Sequence, residues 1–270
     1  MVGSGGGFYA WTLVGKRVAF TRVLERPGLF TKGGTYAEYC VTSATNCITL
    51  DDNVSFEQGA SGVCNPLTAL GLLERCKDRN AQAVIQTGAA SQMGRMMIRL
   101  LAEENIPTIN IVRKDDQVQM LKDKYAGPGL HVLNSESPTF EKDLKALARE
   151  LNANVVLECV AGPIVGVISN CLPRNSTIVS YGQLSESKIE GISAFSVIGG
   201  GLKLEGFLLS NFLREKNIFQ ILSITKKART LLGEVIINKE FGLHQIHEAM
   251  AEYKANMSKG KVLLKPSLTL

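Results

Sequence analysis

One segment constrains the fold of this 270-residue chain more than any other: a short apolar run that leads through a glycine-bounded turn into an amphipathic helix. The run covers residues 83–87, and the turn reads Gly88-Ala-Ala-Ser-Gln-Met-Gly94. This order predicts a strand, a tight turn and a helix that packs against a sheet. The helix face is rich in methionine, a common core-packing residue, and consists of Met93, Met96, Met97, Leu100 and Leu101.

Similar units follow along the chain, because short apolar runs alternate with segments whose apolar residues have helical spacing. Asp115 or Asp116 is expected to cap the helix after the second strand, and Gly162-Pro163 to open a later one. Six strands in this alternation match the doubly wound dinucleotide fold. The predicted strands cover residues 83–87, 108–112, 131–133, 155–159, 177–181 and 204–209.

The two ends of the chain differ from this pattern. Short β-like runs separated by glycines predict part of an all-β unit before residue 55; these runs cover residues 16–21, 35–42 and 47–50. The other end carries predicted helices over residues 218–232 and 243–253 and a last strand over 261–265. We therefore expect a partial β domain (1–54), a dinucleotide-binding domain (55–214) and C-terminal helices and a strand that return to the first domain (215–270).

Composition excludes several classes of function. Hydrophobic residues make up 45% and charged residues 20% of the chain, which is ordinary for a globular protein. The net charge of +5 is dispersed, so neither a nucleic-acid surface nor a membrane span is expected. Six cysteines without a C-x-x-C pair predict reduced, mostly buried thiols and an intracellular protein. The start of the chain carries no readable signal, so the mitochondrion and the cytoplasm both stay open.

The turn after the first strand is the strongest chemical signal. Small residues at such a turn let backbone N–H groups and the positive end of a helix approach a pyrophosphate. The middle glycine of the dinucleotide fingerprint is absent, because Ala89, Ala90 and Ser91 lie between the outer glycines. A simple tight connection between strand and helix is the alternative.

The end of the second strand predicts which cofactor is preferred. An acidic residue there accepts the ribose 2′-hydroxyl of NAD, whereas arginine accommodates the 2′-phosphate of NADP. This chain has Arg113-Lys114, which favours NADP(H). The alternative is a solvated corner in which these basic residues lie beside Asp115 and Asp116.

Other candidate chemistry is weaker. His244 and His247 are three residues apart with Glu248 next, but no further ligand cluster accompanies them, so a surface helix is favoured over a metal site. We assign no metal. No arrangement of serine or cysteine nucleophiles indicates a hydrolase.

Several short motifs, specific in their order and spacing, carry a family resemblance. The chain resembles the quinone-reductase and enoyl-reductase branch of the medium-chain dehydrogenase/reductase family over essentially its whole length. The motifs are Gly33-Gly-Thr-Tyr-Ala-Glu-Tyr39, Asn65-Pro-Leu-Thr-Ala69, the turn from Gly88 to Gly94, Ile109-Asn-Ile-Val-Arg113, Tyr181-Gly182, Leu204-Glu-Gly-Phe207 and Gly260-Lys-Val262.

The resemblance implies an α/β fold, with a doubly wound parallel-sheet Rossmann domain and an incomplete GroES-like β-rich substrate domain. It places Thr68 near the nicotinamide and Arg113 at the 2′-phosphate. The pyrophosphate would lie against Gly88, Ser91, Gln92, Met93 and Gly94, and the cofactor cleft would be lined by Val160, Tyr181 and Gly182. The Gly-His-Glu segment and four-cysteine lobe of the zinc-bearing relatives are absent from the sequence, which implies zinc independence.

The implied function is the NADPH-dependent reduction of an activated double bond in a small molecule, of the quinone or enoyl thioester class. A homodimer that pairs residues 204–209 across a two-fold axis is expected, or else a place as a subunit of a larger complex. Family members open with further strands, and the tyrosine proposed to protonate the substrate comes from that portion. Tyr9 and Tyr36 are not at its place, so no catalytic residue is assigned. A non-catalytic nucleotide-binding or structural subunit, and a longer reading frame that contains Met1 internally, are the alternatives.

Overall fold

The computed structural model describes residues 6–20, 35–37, 39–233, 235–256 and 259–268. The strands are β1 Val18–Phe20, β2 Cys47–Thr49, β3 Val84–Gln86, β4 Thr108–Val112, β5 Leu130–Asn134, β6 Val155–Glu158, β7 Thr177–Ser180, β8 Lys203–Gly206, β9 Ile237–Gly242 and β10 Lys261–Lys265. The helices are α1 Phe8–Thr12, α2 Phe56–Gly62, α3 Cys64–Asp78, α4 Gln92–Glu103, α5 Asp115–Lys124, α6 Phe140–Glu150, α7 Ile164–Cys171, α8 Ala194–Ile198, α9 Leu209–Arg214, α10 Ile218–Leu232 and α11 Ile246–Ala255. Short 3-10 helices cover Ala44–Asn46, Leu243–Gln245 and Pro266–Leu268.

The chain forms two compact units. One unit combines Met1–Leu67 with Asn217–Leu270, and the other is Thr68–Lys216. The domain boundaries expected from the sequence stay predictions. In the described part of the chain, no helix combines the length and the apolar character that a membrane crossing needs.

The unit Thr68–Lys216 is built on a six-stranded sheet in the order β5-β4-β3-β6-β7-β8, with every neighbouring pair parallel. The chain moves outward in one direction from β3 to β5 and in the other from β6 to β8. The strand order therefore reverses between β3 and β6, which is the topological switch point of a doubly wound fold. The predicted α/β fold class is confirmed.

Helices cover both faces of this sheet, and β4 shows how the alternation of a strand divides the two faces. Ile109 and Ile111 pack into a cluster with Leu144 of α6 and Ile168 of α7. Val112 belongs instead to a cluster formed with α4 and α5. The predicted apolar face of α4 is confirmed, since four of its five side chains are buried and Met93 is half-buried.

Two predictions in this unit are wrong. The strand predicted over residues 204–209 ends at Gly206, because Phe207 turns into the core against Phe212 and α9 begins at Leu209. Neither Asp115 nor Asp116 caps α5, whose N-cap is Lys114. The carboxylate of Asp115 accepts a hydrogen bond from Asn134 Nδ2 at 2.8 Å, and both acids lie in the first turn, where negative charge still favours the helix dipole.

The other unit contains two small sheets. Strands β1 and β2 pair antiparallel, whereas β9 and β10 pair parallel. Helix α2 begins with a capping box, in which Ser55 Oγ accepts from Gln58 N and Gln58 Oε1 accepts from Ser55 N. Asn217 and Gln220 form the same arrangement at the start of α10.

Three predictions in this unit are wrong, and each concerns residues that are exposed or that end an element. The described residues of the run 35–42 form no strand, and Tyr36 and Tyr39 are exposed. The helix predicted over 243–253 divides into a 3-10 turn and α11, so His244 and His247 lie in separate segments. Three cysteines are buried, but Cys40 is one of two that are exposed, so the thiols are not mostly buried. Several predicted positions lie outside the described residues: Thr21, Gly28, Gly33, Gly34 and Glu38.

An ion-pair cluster ties α2 to β9 and β10 within this unit. Lys265 Nζ lies 2.7 Å from Glu57 Oε1 and 3.1 Å from Glu240 Oε2. The hydrogen bond from Lys265 lowers the pKa of Glu57 from 4.5 to about 2, and hydrogen bonds from the Glu57 backbone and the Ser55 side chain contribute to the same shift. Because the folded-state pKa is depressed, this interaction stabilises the fold above pH 4.5 and is lost as the pH falls toward 2.

Replacing Glu57 with Gln should therefore lower the melting temperature at pH 7, by about 2 °C for a partly solvated ion pair. The gap between Glu57→Gln and the wild type should shrink progressively below pH 4.5, as the wild-type carboxylate is protonated. Thermal unfolding followed by circular dichroism at several pH values measures this. Asp52→Asn, at an exposed acid of the same unit, is the control; a pH-independent gap would contradict the assignment.

Candidate functional site

The turn between β3 and α4 is tight, and both of its outer glycines are required by close contacts. Gly88 has a φ of 61°, in the left-handed region, and a Cβ there would lie 2.9 Å from Cys159 Sγ. A Cβ on Gly94 would lie 2.5 Å from both Cα and O of Ala89. The first turn of α4 therefore rests directly on the backbone that precedes it.

The beginning of α4 offers donors for an anion. Ser91 is the N-cap, and its Oγ accepts from Gly94 N at 3.1 Å. The amides of Gln92 and Met93 precede the first intrahelical hydrogen bond and have no carbonyl of their own helix to bond. The positive end of a 12-residue helix and these amides together favour a negatively charged group.

The side chain of Gln92 adds a second feature at the same place. Gln92 is 8% exposed, and neither its Oε1 nor its Nε2 has a hydrogen-bond partner in the described part of the chain. Buried amide groups normally have partners. A ligand phosphate or hydroxyl at the start of α4 would supply one, so the residues of this turn fit a dinucleotide diphosphate.

A buried polar network holds the first turn of α4 to the sheet. Gln86 Nε2 on β3 donates to Gly94 O at 3.1 Å and to Asn110 Oδ1 at 2.6 Å. Asn110 Nδ2 on β4 in turn donates to His131 O on β5 at 3.0 Å. The sequence pattern did not predict this role, although polar residues within otherwise apolar strand runs were the available signal.

Arg113 directly follows β4 and is exposed. Its backbone N donates to Gln117 Oε1 at 3.2 Å, and its guanidinium forms no ion pair with any described residue. Ala89 N donates to Ile111 O at 3.2 Å, so the turn is hydrogen-bonded to β4 two residues before Arg113. Asp115 accepts from Asn134 Nδ2 and Asp116 Oδ1 accepts from Gln117 N, and all four residues of the corner are exposed, so the alternative of a solvated corner stays open.

Three further predicted site residues lie where β6 and β7 end. Val160 N donates to Glu158 Oε1 at 2.6 Å, and Tyr181 N donates to Glu158 O at 2.9 Å. A Cβ on Gly182 would lie 3.0 Å from Cys159 O. Cys159 thus lies against both Gly88 and Gly182, and the structure brings these predicted residues together around Glu158 and Cys159.

Two titratable side chains beside these backbone segments, Cys159 and Tyr181, are held neutral by burial. Burial raises the pKa of the Cys159 thiol, so the thiol is not an activated nucleophile. Burial, and then Cys159 and Glu158, raise the pKa of Tyr181 well above its ordinary value. The Tyr181 hydroxyl is buried and lies beside the Cys159 thiol. It therefore remains a potential hydrogen-bond donor across the physiological pH range.

A cavity of about 330 Å³ lies beyond β7 and β8 and includes Tyr181 in its wall. Thr68, which is buried on α3, is not among the cavity's lining residues, and neither are the residues of the Gly88 turn nor Arg113. The residues that line it are Arg75, Ser180, Tyr181, Gly206, Phe207, Leu208, Asn211, Phe212 and Glu215. Among the residues that the structure describes, no group of three or more His, Cys, Asp or Glu side chains could hold a metal, and zinc independence stays a prediction.

Comparison with known proteins places the chain in a family. It is 32% identical to a Mesorhizobium loti protein assigned as an NADPH:quinone reductase, whose crystal structure superimposes with a TM-score of 0.82 over 98% of this chain and 75% of that one. This chain belongs to the quinone-reductase and enoyl-reductase branch of the medium-chain dehydrogenase/reductase family. The resemblance noted in the sequence is confirmed.

With other relatives, the match covers a smaller share of the relative's own length. It is 31% identical to the mitochondrial enoyl-acyl-carrier-protein reductase of Arabidopsis thaliana, over 67% of this chain and 48% of that protein. The chain thus spans about half the length of the curated relatives it matches. The mitochondrial 2-enoyl thioester reductase heterodimer of Candida tropicalis, 22% identical with a TM-score of 0.64 over 82% of this chain and 67% of that one, shares the fold. No family model matches the chain.

The contact between Gly94 and Ala89 predicts that Gly94→Ala destabilises this family member. The added methyl group meets backbone atoms rather than a flexible side chain, so α4 or the turn must shift. Overpacking of this kind costs about 1–3 kcal/mol in the free energy of unfolding. Urea unfolding measures it, with Gly127→Ala as the control, because a Cβ at Gly127 meets its nearest atom at 3.9 Å. Equal stability of the two variants would refute the close contact.

Proposed function

We propose that this chain binds NADP(H) and uses it to reduce an activated double bond in a quinone or an enoyl thioester. The observation that carries the proposal is the exposed, unpaired guanidinium of Arg113 next to a turn whose helix end and buried Gln92 amide suit a diphosphate. Arginine recognises phosphate through a planar pair of N–H donors. The assigned NADPH:quinone activity of the Mesorhizobium loti relative supports the same cofactor.

Each site residue has a distinct part in this proposal. The amides of Gln92 and Met93 and the side chain of Gln92 bind the diphosphate beside Gly88, Ser91 and Gly94. Arg113 binds the 2′-phosphate, while Val160, Tyr181 and Gly182 line the path of the nucleotide toward Thr68, near the nicotinamide. The bound cofactor supplies the hydride, and the chain orients it and excludes water.

Binding and turnover test the proposal separately. NADPH should quench the fluorescence of the purified chain and bind in calorimetry, and loss of NADPH absorbance should follow addition of a quinone or an enoyl thioester. The absence of binding would overturn the cofactor assignment. Binding without turnover of either class would overturn the reductase assignment and favour a non-catalytic nucleotide-binding subunit.

Arg113→Asp should reverse the cofactor preference. The variant loses a charge-assisted bond to the 2′-phosphate and gains a carboxylate that can accept the ribose 2′-hydroxyl of NADH. We expect the ratio of the NADH and NADPH dissociation constants to fall about 100-fold, as one strong charged hydrogen bond would give. Calorimetric titration with both nucleotides measures the ratio.

The control for this experiment is Lys122→Asp, an exposed change on α5 that alters the net charge by the same amount. Its ratio of dissociation constants should stay within about twofold of the wild type, because charges beyond one Debye length are largely screened. An equal fall in both variants would show a general charge effect and contradict the role of Arg113.

We also propose that the chain forms a homodimer through β8. This strand is the edge of the six-stranded sheet, and Leu204 is exposed on it. Lys203 N donates to Ser176 O, just before β7, and Phe207 N donates to Ser180 O at the end of β7, so the alternation of the strand directs the Leu204 amide toward the open edge. Exposed edges of this kind favour pairing with another chain, and the Candida tropicalis relative is a heterodimer.

Light scattering after size exclusion should give twice the mass of the chain. Leu204→Pro removes an outward-facing N–H and should shift most of the protein to the monomer mass, since proline cannot donate to a new strand pair. A wild-type protein that elutes at the monomer mass would refute the dimer.

A further inference from the structure

Glu158, the last residue of β6, is a buried acid that forms no ion pair with any described residue. Its Oε1 accepts from Val160 N at 2.6 Å and from Ala161 N at 2.9 Å. Its Oε2 is buried without a hydrogen-bond partner. A carboxyl group fully removed from water is costly to hold, and hydrogen bonds to backbone amides are what offset that cost here.

The same residue is bonded to each of the chain segments that converge at this edge of the sheet. Thr87, the residue before Gly88, donates its Oγ1 hydrogen to Glu158 Oε1 at 3.3 Å. The same Oγ1 accepts from Cys159 N at 2.9 Å. The backbone oxygen of Glu158 accepts from Tyr181 N. One residue therefore joins the end of β3, the turn after β6 and the start of the segment after β7.

The turn after β6 needs such an anchor, because its backbone is in an uncommon conformation. Ala161 has a φ of 63° and Gly162 a φ of 76°, both in the left-handed region. Non-glycine residues seldom adopt this region unless surrounding contacts hold them there. The hydrogen bonds that the Val160 and Ala161 amides donate to Glu158 Oε1 are those contacts, and they fix the position of Val160.

We propose that Glu158 is a positioning residue for the dinucleotide: it sets the spacing between the Gly88 turn and the Val160 and Tyr181 segments so that both contact one bound cofactor. This inference rests on the proposed binding of NADP(H). Glu158 itself does not touch the nucleotide. Its effect is transmitted through the backbone of Val160 and Ala161 and through Thr87.

Two substitutions at Glu158 separate positioning from bulk packing. Glu158→Leu removes both oxygens and leaves the amides of Val160 and Ala161 without an acceptor, so NADPH binding should weaken about 10- to 100-fold. Glu158→Gln keeps one oxygen as the acceptor for both amides and should stay within about threefold of the wild type. Fluorescence titration with NADPH at a temperature well below each melting point measures both.

Val156→Ala controls for lost stability, since it creates a cavity on the same strand without touching the amides. Its dissociation constant should match that of the wild type. If Glu158→Leu does not fold, Thr87→Val takes its place, because it removes only a hydroxyl that reaches Glu158 and Cys159; its binding should weaken about 3- to 10-fold. Unchanged binding in the folded Glu158→Leu or Thr87→Val variant, or equal weakening in Val156→Ala, would overturn the proposal.

Hydrogen exchange distinguishes failure of this inference from failure of the proposed function, because it needs no nucleotide. Amide exchange in the peptide that spans residues 159–163 should be slow in the wild type and in Glu158→Gln and at least about tenfold faster in Glu158→Leu. Unchanged exchange would show that Glu158 does not hold the turn. Wild-type protein with a protected turn but no affinity for NADPH would overturn both the cofactor assignment and the positioning role, and would leave Glu158 as a structural anchor.

Discussion

The close contact between the first turn of α4 and the backbone of Ala89 determines where the rest of the site can lie. Only glycine at position 94 permits it, since a Cβ would overlap Ala89 Cα. The contact aims the unbonded amides of the helix at the carboxyl edge of the sheet, where the strand order reverses between β3 and β6. An anion bound there meets helix, turn and strand ends at once.

Buried polar side chains stabilise this arrangement from two sides. Gln86 and Asn110 attach the helix start to β3, β4 and β5, and Glu158 attaches the turns after β3, β6 and β7 to one another. Such groups contribute little net stability compared with apolar packing, but they specify one geometry, because an unpaired buried donor or acceptor is costly. Their presence within strands that are otherwise apolar is consistent with a site that needs exact spacing more than added stability.

The sequence predicted the sheet well because its signals are local. Apolar runs, the spacing of Met96 and Met97, and the turn glycines each depend on a few neighbouring residues. The ends of elements were less predictable: β8 stops at Gly206, after which Phe207 packs against Phe212, and Lys114 rather than Asp115 occupies the N-cap position of α5, while Asp115 is bonded to Asn134. Glu158 and Gln86 stand out as polar residues within apolar strand runs, but local patterns do not identify their partners, which are 71 and 24 residues away at their most distant contacts.

The two parts of the proposed cofactor site differ in burial, and burial determines how much a substitution in each part affects the stability of the fold. The Gly88 turn and the Glu158 network are buried, so an altered residue there changes folding and ligand geometry together. Arg113 is exposed and bonded to the rest of the protein mainly through its backbone, so its side chain can vary at little cost in stability. On the proposed assignment, the choice between NADP(H) and NAD(H) is therefore separable from the framework that would hold either one.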